Sequence, residues 1–143
     1  MSGYRVLLVD DEADFVEALA ERLQARNLEV TTASGGGEAL DAARERTFDA
    51  IVLDMAMPGM DGLETLEHLL RINPDLQVIL LTGRATLEQA ATAIRIGALD
   101  LLEKPADIDV LSEKIELAAT RRWSLEEKRI EDKISEIMKN KGW

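Results

Sequence analysis

The chain has 143 residues, of which 46% are apolar and 3% aromatic, and it contains no cysteine. This length and aliphatic content predict one compact domain with a tail, and the lack of cysteine excludes disulfide frameworks and thiolate metal sites. No apolar stretch approaches the roughly 20 residues that a membrane-spanning helix needs. Residues 1–30 also lack the pattern of a secretory signal peptide. We therefore expect a cytoplasmic protein that does not insert into a membrane.

The net charge of −11 is unevenly distributed along the chain. Residues 1–120 hold 10 basic and 23 acidic side chains, whereas residues 121–143 hold 7 basic and 5 acidic ones. A surface that binds nucleic acid has to be basic, so direct nucleic-acid binding by the main body is not expected. An acidic pocket in such a body must bind a cation before it can bind phosphate.

Strand-sized apolar runs alternate with helical spacing five times. The runs cover residues 4–9, 28–33, 50–53, 77–81 and 99–103, and the helical segments begin near residue 13 and then cover 36–46, 63–72, 85–96 and 109 onward. Runs such as IVLD and VILLT are apolar throughout, which is typical of parallel strands covered on both faces. Right-handed crossovers then predict an α/β fold with a doubly wound, five-stranded parallel sheet.

Four of the five apolar runs end in charged or hydroxyl side chains. Asp10 and Asp11 follow the first run, Asp54 the third, Thr82 the fourth and Lys104 the fifth. Doubly wound folds bind ligands at the carboxyl edge of the sheet, so we expect these groups to meet there. Together they are the groups needed to bind Mg²⁺ and to accept a phosphoryl group on one acid. Each alone also has an ordinary explanation, such as helix capping, turn closure or solvation.

Five short motifs carry a family resemblance. They are Val9-Asp10-Asp11, the segment DMAMPGMDG at 54–62, Leu81-Thr82-Gly83, Gly97-Ala98 and Lys104-Pro105. Over about residues 4–120 the chain resembles the receiver domain of two-component response regulators, of the chemotaxis-regulator kind. The resemblance implies a flavodoxin-like sheet with strand order 2-1-3-4-5 and a cis bond before Pro105. It also implies that Asp54 is the phosphoacceptor, with a histidine kinase or phosphotransfer protein as donor.

The residue types suit phosphoryl transfer, which depends on positioning and on neutralising charge. Mg²⁺ prefers six oxygen ligands and keeps several waters. The expected ligands are Asp10, directly or through water, Asp11, Asp54 and the backbone carbonyl of Ala56. Lys104 would supply a positive charge and Thr82 a hydroxyl donor to the acyl phosphate.

The resemblance also implies a switch, in which Thr82 moves towards the phosphate and a side chain of strand five fills the vacated space. The position that commonly carries tyrosine or phenylalanine is Leu101 here, so an aromatic readout is not expected. Ala56 is too small to hold a water, and Arg84 is long enough to lie over the phosphoryl group. These two residues are therefore expected to tune the lifetime of the phosphorylated state, and the alternative for Arg84 is a side chain simply solvated on its loop.

The last helix is predicted to be unusually long. Helical spacing runs from Asp109 for 31 residues without proline or glycine, about 46 Å at 1.5 Å per residue. Trp123, Ile130 and Ile137 are seven residues apart, as in a coiled-coil seam. We divide the chain into a receiver at 1–120 and an extended helix at 121–143. The extension is expected to dimerise the chain, to link it to an output domain, or to fold back onto its own domain.

The function that best accounts for these features is a signalling module and not an enzyme. It would receive phosphate on Asp54 and switch its surface for a downstream protein partner. The alternatives are a phosphate-independent scaffold of the same fold, which Leu101 favours, and the N-terminal part of a larger transcriptional regulator. A Mg²⁺-dependent phosphohydrolase would need a general acid where Ala56 lies. A nucleotide-binding enzyme would need glycines where the acids of the first turn lie.

Overall fold

A computed structural model describes residues 3–141 of the chain. Its strands are β1 (Arg5–Val9), β2 (Glu29–Ala33), β3 (Ala50–Asp54), β4 (Val78–Thr82) and β5 (Asp100–Glu103). They form one parallel sheet in the order β2-β1-β3-β4-β5, which confirms the predicted topology. β3 and β4 each end one residue later than the apolar runs predict, because Asp54 pairs with Leu81 and Thr82 pairs with Glu103 in the sheet.

Within the described residues, five helices connect and follow the strands. They are α1 (Ala13–Gln24), α2 (Gly36–Glu45), α3 (Gly62–Ile72), α4 (Leu87–Ile96) and α5 (Ile108–Asn140). Helix α4 begins two residues later than predicted, because the hydroxyl of Thr86 accepts a hydrogen bond from the N–H of Gln89 and caps the helix. Helix α5 begins one residue earlier than predicted, because the carboxylate of Asp107 caps it.

The sheet separates two apolar layers, since successive strand side chains point to opposite faces. Leu7, Ile51 and Leu80 pack against α2, α3 and α4, and Leu101 is half-buried against the same layer. Strand residues on the other face pack against α1 and α5. The strand order reverses between β1 and β3, so a crevice opens beyond the carboxyl ends of these two strands.

Helix α5 has 33 residues and is about 50 Å long at 1.5 Å per residue, which confirms the extended C-terminal helix. None of its described residues beyond Ala119 is buried. The two predicted segments, 1–120 and 121–143, include four terminal residues that lie outside the described residues: Met1, Ser2, Gly142 and Trp143. No helix within residues 3–141 is long and apolar enough to cross a membrane.

The extension of α5 is tied to the amino edge of the sheet. Asp49, directly before β3, accepts hydrogen bonds from the Arg122 guanidinium at 2.9 Å and from the Trp123 indole N–H at 3.0 Å. Arg129 Nε lies 2.7 Å from a carboxylate oxygen of Asp75. The helix therefore leaves the domain in a defined direction.

Candidate phosphoacceptor site

The carboxyl edge of the sheet collects the polar residues that the sequence singles out. Asp54 and Thr82 are the last residues of β3 and β4, and Lys104 directly follows β5. Asp10 follows β1, the neighbour of β3 across the crevice. Three of these residues are buried: Asp10, Asp54 and Thr82 are 2%, 3% and 5% exposed. Because unpaired buried charges are costly, these acids need a counter-charge close by.

Lys104 provides that counter-charge. Its Nζ lies 2.8 Å from Asp10 Oδ2, 3.1 Å from Asp54 Oδ1 and 3.5 Å from Glu12 Oε1. The backbone N–H of Lys104 donates to the carbonyl of Thr82 at 2.7 Å, and the Lys104–Pro105 bond is cis. The ammonium therefore bridges two buried carboxylates that come from different strands.

The loop after β1 gives its two aspartates different environments. Asp10 is buried and its Oδ1 accepts a hydrogen bond from the N–H of Glu12 at 2.9 Å, whereas Asp11 is exposed. Helix α1 has Glu12 at its N-cap position, with no side-chain cap. Capping of α1 by Asp11 or Asp14, the ordinary explanation for these acids, is therefore not observed.

The charges in the cluster shift each other's ionisation. Burial raises the pKa of Asp54, the hydrogen bond from Lys104 opposes that rise, and the negative charge of Asp10 adds to it. Burial acts to lower the pKa of Lys104, but hydrogen bonds to Asp10 and Asp54 outweigh it and the pKa is raised. The lysine thus remains charged between the two acids.

The acidic cluster fits a small hard cation. One carboxylate oxygen from each of Asp10, Asp11 and Asp54 lies within 4.8 Å of the other two, and oxygen ligands are those that Mg²⁺ prefers. Ala56, the fourth predicted ligand, is an exposed residue of the loop after β3, and its backbone N–H donates a hydrogen bond to the Asp54 carboxylate. This donor set could hold a metal ion.

The residues predicted to switch or tune the site lie around this cluster. The Thr82 hydroxyl donates to the carbonyl of Arg84 and accepts from its N–H, both at 3.3 Å. The side chain of Arg84 is exposed. The Thr82 hydroxyl therefore makes its hydrogen bonds within its own loop. Leu101, on the neighbouring strand β5, is partly buried and packs against the core.

Two neighbours of Lys104 are not among the predicted site residues. Glu12 lies 3.5 Å from its Nζ, and the ring centroid of Phe15 lies 4.3 Å from it. Phe15 is one of the apolar residues at helical spacing that predict α1. Phe15 follows Asp11 by only four positions in the sequence. This closeness to the Asp10-Asp11 pair is the one sequence signal that could have indicated its contact with Lys104.

The doubly wound sheet and the acidic crevice at its carboxyl edge together define a receiver-type signalling domain. The chain belongs to the response regulator receiver domain family, whose model matches residues 6–116. The transcriptional regulatory protein ZraR of Escherichia coli O157:H7 is 37% identical over 113 residues, which are 79% of this chain and 26% of ZraR. The chain thus spans about a quarter of the length of this relative.

Solved structures are similar in fold as well. A CheY-like receiver domain protein from Methanospirillum hungatei JF-1 is 29% identical with a TM-score of 0.80, and the match covers 86% of this chain and 98% of that one. NtrX from Brucella abortus, in complex with ADP, is 30% identical with a TM-score of 0.76. That match covers 99% of this chain and 30% of NtrX. The predicted family and fold are confirmed.

Proposed function

We propose that this receiver domain accepts a phosphoryl group on Asp54 from a histidine kinase or a phosphotransfer protein in the cytoplasm. The observation that carries the proposal is the Lys104 ammonium between the buried carboxylates of Asp10 and Asp54. A lysine held in this way pairs with the acceptor before transfer and is within reach of a phosphoryl oxygen afterwards. No separate substrate site is needed, because the modified group is the protein's own.

In the proposed transfer an oxygen of Asp54 attacks phosphorus while the phosphorus–nitrogen bond of the donor phosphohistidine breaks. The electron pair of that bond leaves with the imidazole. Lys104 and Thr82 donate hydrogen bonds to the phosphoryl oxygens. Mg²⁺, held by Asp10, Asp11, Asp54 and the carbonyl of Ala56, would neutralise charge on the same oxygens.

Thr82 and Leu101 are the proposed switch residues. Donation from the Thr82 hydroxyl to the phosphoryl group requires that it give up its hydrogen bond to the Arg84 carbonyl. Leu101 lies on β5, beside β4 in the sheet, and can fill the vacated volume by changing its rotamer. The changed surface would then be read by a downstream protein.

A second copy of this chain is the proposed partner of the α5 extension. Trp123, Ile130 and Ile134 are 60%, 58% and 52% exposed, and Ile137 continues the same stripe. Their spacing is that of coiled-coil core positions. A second copy offers an identical stripe, so a two-fold pair would bury both at once.

The test is labelling with acetyl phosphate, whose acetate takes the bonding pair when Asp54 attacks. Wild type, Asp54→Asn and the exposed control Asp132→Asn are incubated with Mg²⁺ or EDTA. Intact mass should show one phosphoryl group on wild type and the control, only with Mg²⁺, and none on Asp54→Asn. Sedimentation of the same samples should show a dimer that the double variant Ile130→Asp/Ile134→Asp loses.

Each contrary result overturns a separate part of the proposal. Labelling of Asp54→Asn would assign the phosphate to another residue. Absence of labelling in the wild type would favour the phosphate-independent scaffold. If the protein is a monomer both with and without phosphate, the exposed apolar stripe of α5 does not dimerise the chain, and a different partner, such as an output domain, would be expected to bind it.

Ala56 is proposed to tune the lifetime of the acyl phosphate. We expect Ala56→Asn to accelerate its hydrolysis several-fold without preventing labelling, because a carboxamide can hydrogen-bond a water where a methyl group cannot. The measurement is loss of the phosphorylated mass after removal of acetyl phosphate. Arg84→Ala, which removes the second tuning side chain, is measured beside it. An unchanged decay for Ala56→Asn would contradict the assignment.

A further inference from the structure

Helix α1 brings an aromatic ring to the lysine of the site. The ring centroid of Phe15 lies 4.3 Å from Lys104 Nζ. Phe15 is half-buried in the first turn of α1 and packs against the layer that α1 and α5 form. A cation within about 6 Å of a ring centroid is attracted by the electrons of the ring face. The contact is therefore electrostatic as well as apolar.

Within residues 3–141, the ion-pair partners of the ammonium are three carboxylates. Asp10 and Asp54 hold it within the crevice, whereas Glu12 has a side chain that is 68% exposed and lies 3.5 Å away, towards solvent. The lysine stem is flexible, so the ammonium can turn towards either set of oxygens. Asp10 and Asp54 already favour the crevice, and any further attraction on that side strengthens the preference over Glu12.

Phe15 provides this attraction without adding charge. A further carboxylate would also hold the ammonium, but it would increase the negative charge that repels an incoming phosphoryl group. The ring also leaves the metal ligands free, since it has no lone pair to compete for a cation such as Mg²⁺. Its contribution grows as water is excluded, and the Lys104 side chain is only 14% exposed.

We infer that Phe15 is a positioning residue for phosphoryl transfer, whose ring holds the Lys104 ammonium between Asp10 and Asp54. The inference rests on the proposed role of Asp54 as phosphoacceptor. Without the ring, the ammonium spends more of its time near Glu12 and solvent, and less where the phosphoryl oxygens arrive. Transfer then becomes slower although every charged group of the site is present.

The first variant is Phe15→Leu, which keeps an apolar side chain in the core layer and removes the ring. We expect its rate constant for labelling by acetyl phosphate at saturating Mg²⁺ to fall about threefold to tenfold. Phe15→Trp keeps a ring face and should restore most of the rate. A small-molecule donor is used so that contacts between α1 and a protein partner cannot contribute.

Fluorination separates the ring's electrostatics from its shape. The chain has two phenylalanines, Phe15 and Phe48, and Phe48 is buried two residues before β3, at the opposite edge of the sheet. Replacing both by mono-, di- and trifluorophenylalanine weakens the attraction for a cation stepwise while leaving the shape almost unchanged. The labelling rate should fall stepwise in the wild type. It should stay constant in Phe15→Leu, where only Phe48 carries fluorine.

The outcomes are distinct. A rate that does not respond to fluorination in the wild type, or that responds equally in Phe15→Leu, overturns the positioning role. If Phe15→Leu fails to fold, as judged by circular dichroism, the labelling rates of the fluorinated wild-type series still decide whether the ring of Phe15 positions Lys104. An unlabelled wild type overturns the proposed function itself, whereas labelled wild type with an unaffected Phe15→Leu overturns the inference about Phe15 alone.

Discussion

Replacement of Asp49 by alanine is expected to lower the free energy of unfolding by about 3 kcal/mol. Asp49 is 8% exposed and accepts three hydrogen bonds, from the backbone N–H of Arg5, the guanidinium of Arg122 and the indole of Trp123. The Arg122 side chain is itself only 16% exposed. Removing Asp49 leaves the largely buried guanidinium of Arg122 with only the exposed carboxylate of Glu126, 3.5 Å away, as a counter-ion, and breaking a buried pair in this way is costly.

Asp75→Ala is the matched control for this prediction. It also removes a carboxylate that binds an arginine of α5, but the Arg129 side chain is 60% exposed. Exposed pairs contribute about 0–1 kcal/mol, so the control should lose little stability. Urea unfolding followed by circular dichroism measures both variants. Equal losses for the two would contradict the assignment of Asp49 as the main anchor of α5.

Gly62→Ala should destabilise the domain by roughly 3 kcal/mol. A Cβ at Gly62 would lie 2.6 Å from the carbonyl oxygen of Asp54 and 2.6 Å from the Cα of Met55. These are backbone atoms at the end of β3, so neither can rotate away as a side chain would. The N–H of Gly62 also donates to the carbonyl of Met55 at 2.9 Å. Relief of the clash therefore has to move the segment that carries the phosphoacceptor.

Gly37→Ala is the control in the neighbouring helix. A Cβ there meets nothing within 4 Å, and alanine favours a helix over glycine by up to about 1 kcal/mol. We therefore expect opposite signs for the two substitutions when their urea midpoints are compared. Acetyl phosphate labelling should also slow in Gly62→Ala and remain normal in Gly37→Ala. Stabilisation in both variants would contradict the prediction, because it would show that the backbone at Asp54 and Met55 can move to accommodate a Cβ at Gly62 without a loss of stability.

The two predictions concern opposite ends of one strand. Asp49 directly precedes β3 and anchors α5, whereas Asp54 ends β3 and is the proposed phosphoacceptor. β3 is the central strand of the sheet and all five of its residues are buried. A central strand, buried along its whole length, thus lies between the site and the anchor of the helix that the proposed output uses.

Local sequence pattern was sufficient for the architecture. Apolar runs such as that of β3 can be covered on both faces only in a parallel sheet with helices on each side, and helical spacing followed each run. Both signals repeat within short windows, so they need no knowledge of distant contacts. The few errors concern element ends, as at α4, where the cap at Thr86 and not the apolar spacing decides the first helical residue.

The sequence by itself determined the fold, the edge of the sheet where the site lies and which strand ends carry Asp54, Thr82 and Lys104. Only the tertiary structure decided how these groups are arranged. The pair of Lys104 with Asp10 spans 94 positions, and that of Arg122 with Asp49 spans 73. Contacts at such separations depend on how helices pack over the sheet, which no local periodicity encodes. For the same reason the spacing of Phe15 predicts only a position in a helix, whereas the structure shows its ring at the lysine.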